Sequence, residues 1–214
     1  MPFICIKNLS FRYESALVLN NINLDIEKGE YIGIVGPNGG GKTTLIKIIL
    51  GILKDKSKSI TINSNPKFGY IPQRLSSSGL DFPALVSEIL RNSFDKFDRD
   101  KYSDILKLCE IENLEQRLLS ELSGGERQKV FIAKSLITEP NFLILDEPTI
   151  GIDPEYQVKF WELLKRLNEQ NKVGIIIISH DSQEILANAK RLVLIDKQIQ
   201  KDTNPKHFNQ SHSH

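Results

Sequence analysis

This sequence has no surplus of charge, few cysteines and no long apolar run. Twenty-eight basic against 27 acidic residues leave a formal charge of +1 over 214 residues. No stretch gathers that excess into a basic stripe, so nucleic acid is not an expected partner. Cys5 and Cys109 lie far apart without C-x-x-C spacing, which suits two packing residues in a reducing compartment rather than a disulfide framework. The greasiest segment, "LIKIILGIL", is about nine residues long against the ~20 that span a bilayer. The opening "MPFICIKNLSF" lacks the charged-then-apolar order of a secretory signal. A soluble chain on the cytosolic side is expected, long enough for one α/β core with a modest second lobe.

What is present alternates between two kinds of strand. "FICIKNL" and "INLDIEKG", where Ile22, Leu24 and Ile26 alternate with Asn23 and Asp25, predict strands with one wet face at an antiparallel edge. "YIGIVG", "FLILD" and "VGIIIIS" are short continuous apolar runs bounded by turns, as in a parallel sheet covered on both faces. Helical stripes lie between them, one of Val130, Ala133, Leu136 and Ile137, another of Phe160, Leu163, Leu164 and Leu167. From about 74 to 122 the rhythm changes to polar "RLSSSGLD" followed by helical "LVSEILRNSF" and "KYSDILKLCE", which predicts an inserted helical lobe. The end, "KDTNPKHFNQSHSH", has the polar composition of a disordered tail.

Two motifs carry chemistry. "GPNGGGKT" fits G-x-x-x-x-G-K-[ST] between the strand "YIGIV" and the helix "TTLIKIIL". Its glycines let backbone N–H groups curl around an anion at the positive end of a helix. Lys42 is then placed to reach β- and γ-phosphates, and the Thr43 hydroxyl to hold Mg²⁺. "FLILDEPT" ends a buried strand on two carboxylates, so Asp146 can orient a Mg²⁺ shell and Glu147 can polarise a water toward the γ-phosphate. A second glycine pair, in "LSGGERQ" at 122–128, opens another helix. By itself "SGGE" also reads as an ordinary capping box, Ser followed by Glu at the third position.

The order "GPNGGGKTT", "IPQ", "LSGGERQ", "FLILDEPT", "GID" and "IIIISHD" resembles the ATP-binding subunit of ABC transporters from Phe3 to about Ile199. The resemblance implies an α/β P-loop NTPase fold, with a RecA-like parallel core sheet, an antiparallel β edge and an inserted helical subdomain. One domain of 1–204 is expected, with its core at 1–73 and 136–204, its helical subdomain at about 74–135, and a histidine-containing tail at 205–214. It also implies a head-to-tail homodimer, in which the signature residues Ser123, Gly124, Gly125 and Glu126 of one copy close over the ATP held by the other. That ATP would lie on Gly36, Pro37, Asn38, Gly39, Gly40, Gly41, Lys42, Thr43 and Thr44, with Tyr13 stacking on adenine. Gln73 would sense Mg²⁺ and the attacking water, His180 would contact the γ-phosphate, and Asp153 would run along the dimer interface.

Three positions depart from the family's commonest pattern: Glu126 where glutamine is usual, Gly40 where a small side chain is usual, and "IGID" for a Ser-Ala-Leu-Asp type of stretch. Glu126 adds negative charge near the nucleotide interface. With no membrane span, the translocation path would belong to a separate integral membrane permease, docking near Arg74–Glu88 and placing the chain on the inner face of the cell membrane. The run "FGYIPQRLSSSGLDFPALVSEIL" looks like the zinc, manganese and iron importer subfamily, which implies an extracytoplasmic metal-binding protein as an indirect partner. The tail histidines His207, His212 and His214 suit a solubilising end or a metal contact. The other readings are a non-transport ATP switch in cell division or lipid handling, and a P-loop kinase, which would leave "LSGGE" unexplained.

Overall fold

The computed structural model describes residues 1–63, 65–73, 83–150, 152–180 and 182–205. The chain gathers into two compact units, Met1–Pro66 with the chain from Gly174 onward, and Lys67–Val173. The stretch expected as a helical subdomain, 74–135, falls within the second.

The first unit carries two sheets. In the smaller, β1 (Ile4–Tyr13) lies between β2 (Ala16–Ile26) and β4 (Ile60–Ile62), both antiparallel to it. Along β2 the expected alternation holds: Leu19, Ile22, Leu24 and Ile26 are buried while Asn21, Asn23 and Asp25 face solvent. In the larger, β3 (Tyr31–Val35) lies parallel to both β7 (Gly174–Ser179) and β8 (Arg191–Asp196). Every residue of β3 and β7 is buried, as their unbroken apolar runs require. Helix α1 (Lys42–Ile49) follows β3, and α6 (Ser182–Asn188) follows β7.

The end of this unit corrects one expectation. Lys201–Thr203, grouped by composition with the tail, form the second half of β9 (Gln198–Thr203), antiparallel to β8. Polar residues suit an edge strand, and one long-range clamp holds it. The Arg191 guanidinium grips Asp202 through Nε to Oδ1 at 2.7 Å and Nη2 to Oδ2 at 2.6 Å, while Nη1 donates to Glu30 Oε1 at 3.0 Å and the Asp25 carbonyl at 2.7 Å. Residues 206–214, with the three tail histidines, lie outside the described residues.

The second unit pairs β5 (Phe68–Ile71) in parallel with β6 (Phe142–Asp146), and β6 is buried throughout. Its helices are α2 (Val86–Arg91), α3 (Arg99–Cys109), α4 (Gly124–Leu136) and α5 (Pro154–Glu169). The two expected stripes are buried, Val130, Ala133, Leu136 and Ile137 on and just after α4, and Phe160, Leu163, Leu164 and Leu167 on α5. Asp98 caps α3 by accepting from the Asp100 and Lys101 N–H groups.

Glu110 ties three helices together. It ends α3 in the left-handed region at φ 55°. Its Oε2 lies 3.1 Å from Lys129 Nζ on α4, and its Oε1 lies 2.8 Å from Arg166 Nη2 on α5. The Arg166 and Lys129 hydrogen bonds hold the Glu110 carboxyl below the usual Glu value. Behind it Cys109 is buried, and burial pushes its thiol up to about 12, so it packs without being a reactive thiol.

Glu110→Gln leaves the buried Lys129 ammonium without its counter-charge and should cost about 1–2 kcal/mol at neutral pH, kept modest by Glu110's exposure. A carboxyl held below its unfolded value gives stability that is complete above the unfolded value and is lost as pH falls through the folded one. Urea unfolding from pH 7 to pH 3 should show the gap between parent and variant closing as the pH falls; a constant gap would contradict this role.

Candidate functional site

The expected site residues fall into two groups, one in each unit. In the first unit, β3 pairs in register with its neighbours, Val35 opposite Ser179 on β7 and opposite Leu194 on β8. The chain therefore leaves β3 and β7 at one level, at Gly36 and His180, beside Ile195, where β8 still runs on to Asp196. Glycine is required where the loop turns against β8. Gly36 has φ 147°, and a Cβ there would collide with the Ile195 carbonyl oxygen. A Cβ at Gly40 would come within 2.8 Å of the same oxygen, which gives the departure at Gly40 a local reason. The β8–β9 turn also ties the loop down, since the Lys197 N–H donates to the Gly40 carbonyl at 2.9 Å. The Gly40 N–H donates to the Pro37 carbonyl at 3.0 Å.

Lys42 opens α1 and is buried, its Nζ donating to the carbonyls of Gly36 at 2.7 Å and Pro37 at 2.9 Å. The loop thus wraps its own ammonium. Gly41 precedes the helix in a left-handed conformation with no side-chain cap, and no acidic residue lies in the first turn. The helix end therefore offers an anion its positive potential without a carboxylate in the first turn. Pro37, Asn38 and Gly39 are exposed at the loop's tip, while Thr43 is half-buried and Thr44 buried. His180 is exposed just beyond β7; Asp181 lies outside the described residues. Tyr13 ends β1 at 44% exposure, its ring packed edge-on against Phe11 at 5.1 Å.

In the second unit, Ile71 pairs with Leu145, so Pro72 and Gln73 leave β5 beside the end of β6, where Asp146 and Glu147 stand. Gln73 is exposed, whereas Asp146 is 3% and Glu147 7% exposed. Glu147 adopts φ 51°, a left-handed conformation uncommon for a residue with a side chain, and such strain collects at functional sites. Tyr70, which the sequence did not single out, hydrogen-bonds to Asp146. Burial first, then the Asp146 charge and that bond, push its hydroxyl up to about 12, so it stays a neutral donor to the carboxylate. Asp153 caps α5 by accepting from the Glu155 N–H at 2.9 Å, with Pro154 at the first helical position.

The capping-box reading of "SGGE" holds, and its geometry leaves room for the other. Ser123 caps α4, its Oγ accepting from the Glu126 N–H at 3.2 Å, while Glu126 Oε2 accepts from the Ser123 N–H at 2.8 Å. A hydroxyl that accepts still has its proton to donate, so this cap can also serve an anion. Gly125 lies against Tyr156 of α5, where a Cβ would come within 2.6 Å of the ring. The start of α4 therefore packs closely on the helix that Asp153 begins. Of the expected docking zone Arg74–Glu88, residues 74–82 lie outside the described residues; α2 begins at Val86, and Glu88 Oε2 accepts from the Leu85 N–H at 2.9 Å.

Among the described residues no helix is long and apolar enough to cross a membrane. Residues 19–150 match the ABC transporter family. The zinc uptake system ATP-binding protein ZurA of Listeria innocua is 34% identical over 91% of this chain and 82% of its own length. The cbiO1 structure from Clostridium perfringens, part of the ABC transporter complex cbiONQ, superposes with a TM-score of 0.87 at 28% identity, covering 96% of this chain and 90% of that one. A dimeric bacterial ABC transporter cassette does so with a TM-score of 0.77 at 26% identity, covering 94% and 98%. These cassettes share the α/β P-loop NTPase fold expected from the sequence. The chain belongs to the ABC transporter family, as one of its ATP-binding cassettes.

Proposed function

We propose that this chain hydrolyses ATP as a head-to-tail pair and thereby powers import of a divalent metal, of the zinc, manganese and iron class, through a separate permease. The observation that carries the ATP assignment is the loop Gly36–Lys42, whose glycines turn where a Cβ would strike the Ile195 carbonyl and whose lysine is held at its centre. Import of a metal is supported by the similarity to the zinc uptake protein over most of both chains. The pair is supported by the dimeric cassette at 26% identity. On this reading the domain divides as expected, with a core at 1–73 and 136–204 and a helical subdomain at 74–135. The permease docks near Arg74–Glu88, an extracytoplasmic metal-binding protein acts upstream, and the chain sits on the inner face of the membrane.

Each residue then has a task. Gly36–Thr44 give backbone N–H groups and the Lys42 ammonium to the triphosphate, and Tyr13 offers a ring to the adenine. Mg²⁺ is a hard cation that takes oxygen ligands; the Thr43 hydroxyl, the Asp146 carboxylate and the Gln73 amide oxygen are donors of that kind. Bound there, it offsets the charge that spreads over the phosphoryl oxygens. Tyr70 orients Asp146 by donating to it. Glu147 accepts a proton from the attacking water while His180 contacts the γ-phosphate. Ser123, Gly124, Gly125 and Glu126 of the second copy close the opposite side of the ATP, and Asp153 runs along the interface.

Glu147→Gln should lower kcat by about 10²–10⁴ while retaining ATP. Gel filtration should show this variant as a dimer with Mg-ATP and a monomer with ADP; a variant monomeric at high ATP counts against the paired site. Ser123→Arg should keep binding of a fluorescent ATP analogue at the phosphate loop but abolish that dimer. Undiminished hydrolysis in Ser123→Arg would remove the signature from the site.

A further inference from the structure

A carboxylate at Glu126 stands in the very turn that is to meet a triphosphate, where a like charge opposes closure. A cation stands against that carboxylate. Arg117, which no motif singles out, sits between the two short 3₁₀ turns Glu112–Leu114 and Leu119–Glu121 that lead into the signature. Its Nη1 lies 3.5 Å from Glu126 Oε1, and its Nη2 donates to the Glu121 carbonyl at 2.9 Å. The guanidinium thus spans the loop, touching backbone before Ser123 and carboxylate after it. Arg127 adds a second strap, its Nε donating to the Leu122 carbonyl at 3.1 Å. Exposure falls from 43% at the Arg117 side chain to 19% at that of Glu126, so the carboxylate is the better shielded partner.

We propose that Arg117 is a positioning residue for the signature loop, neutralising Glu126 so that Ser123 and Gly125 can receive the triphosphate held by a second copy of this chain. The proposal rests on the paired-site reading above. Glu126 has two functions that its two oxygens separate. Oε2 fixes the Ser123 N–H and keeps Ser123 in its extended cap conformation, at φ −62° and ψ 165°. Oε1 carries charge toward Arg117. Glutamine can still accept from the Ser123 N–H but carries no charge, so the cap and the charge can be varied apart.

The test uses the full chain in the Glu147→Gln background and reads the ATP concentration at half-maximal dimer formation. Arg117→Met should raise that midpoint about tenfold, a factor in the range of like-charge repulsion at an interface. Adding Glu126→Gln should remove the effect of Arg117→Met, leaving the double variant within about twofold of Glu126→Gln alone. With Glu147 intact, Arg117→Met should raise KM for ATP with kcat at saturation little changed. An Arg117→Met midpoint equal to the parent's overturns the proposal, as does a double variant as weak as the single, which would mean that Arg117 only braces the Glu121 carbonyl. Should Arg117→Met fail to fold, Glu126→Gln alone decides: a tenfold tighter midpoint would show an unneutralised carboxylate and overturn the proposal. A parent that forms no Mg-ATP dimer removes the paired-site reading and this proposal together, whereas a dimerising parent indifferent to these changes removes only the proposal.

Discussion

The parallel pairing of β3 with β7 on one side and β8 on the other is the constraint on which the first unit's chemistry depends. Val35 ends β3 level with Ser179 at the end of β7, while β8 runs on past Leu194 to Asp196, so the loop after β3 must pass over the Ile195 carbonyl and beside His180. The glycines follow from that crowding as much as from any ligand. Gly36 and Gly40 approach a backbone oxygen that has no side chain to swing away, and the Lys197 N–H fixes the loop from the same hairpin. Held by backbone on both sides, the phosphate cradle proposed here is preorganised, so little ordering cost is left for binding.

The second unit applies the same economy to its helix starts. Ser123 and Asp153 are both N-caps, and each is also assigned a task at the nucleotide. A cap residue is fixed in an extended conformation with its first-turn N–H groups pointing outward, which is what an anion site needs. Structural and functional readings of such residues are therefore not rivals. At Glu126 the same economy carries a cost, because the carboxylate that completes the capping box brings a negative charge, and Arg117 stands against it.

Much of this was legible in the chain. The proposed phosphate loop is readable from glycine spacing between a buried apolar run and a helical stripe, all of which are local. The alternation along β2 and the stripes on α4 and α5 fell where their periodicities put them, because a period reports which face is covered. Composition misleads at Lys201–Thr203, where polarity alone reads as disorder but the residues form a strand. The clamp on Asp202 comes from Arg191 and Glu30, residues that no window along the chain would place together. Tyr70 escapes a reading along the chain for the same reason: its partner Asp146 lies on a neighbouring strand, far off in sequence.

The sequence by itself determined the apolar periods, the glycine turns and the order of motifs, and through them the fold class and the family, since each depends on residues within a few positions of one another. Only the tertiary structure decided which charges meet. Glu110 between Lys129 and Arg166, Asp202 in the grip of Arg191, and Glu126 facing Arg117 are pairs chosen by how helices and strands pack. Hydrophobic patterning fixes which face of an element is buried, but an ion pair needs two atoms within a few ångströms, and that separation is set only when the elements that carry them have docked.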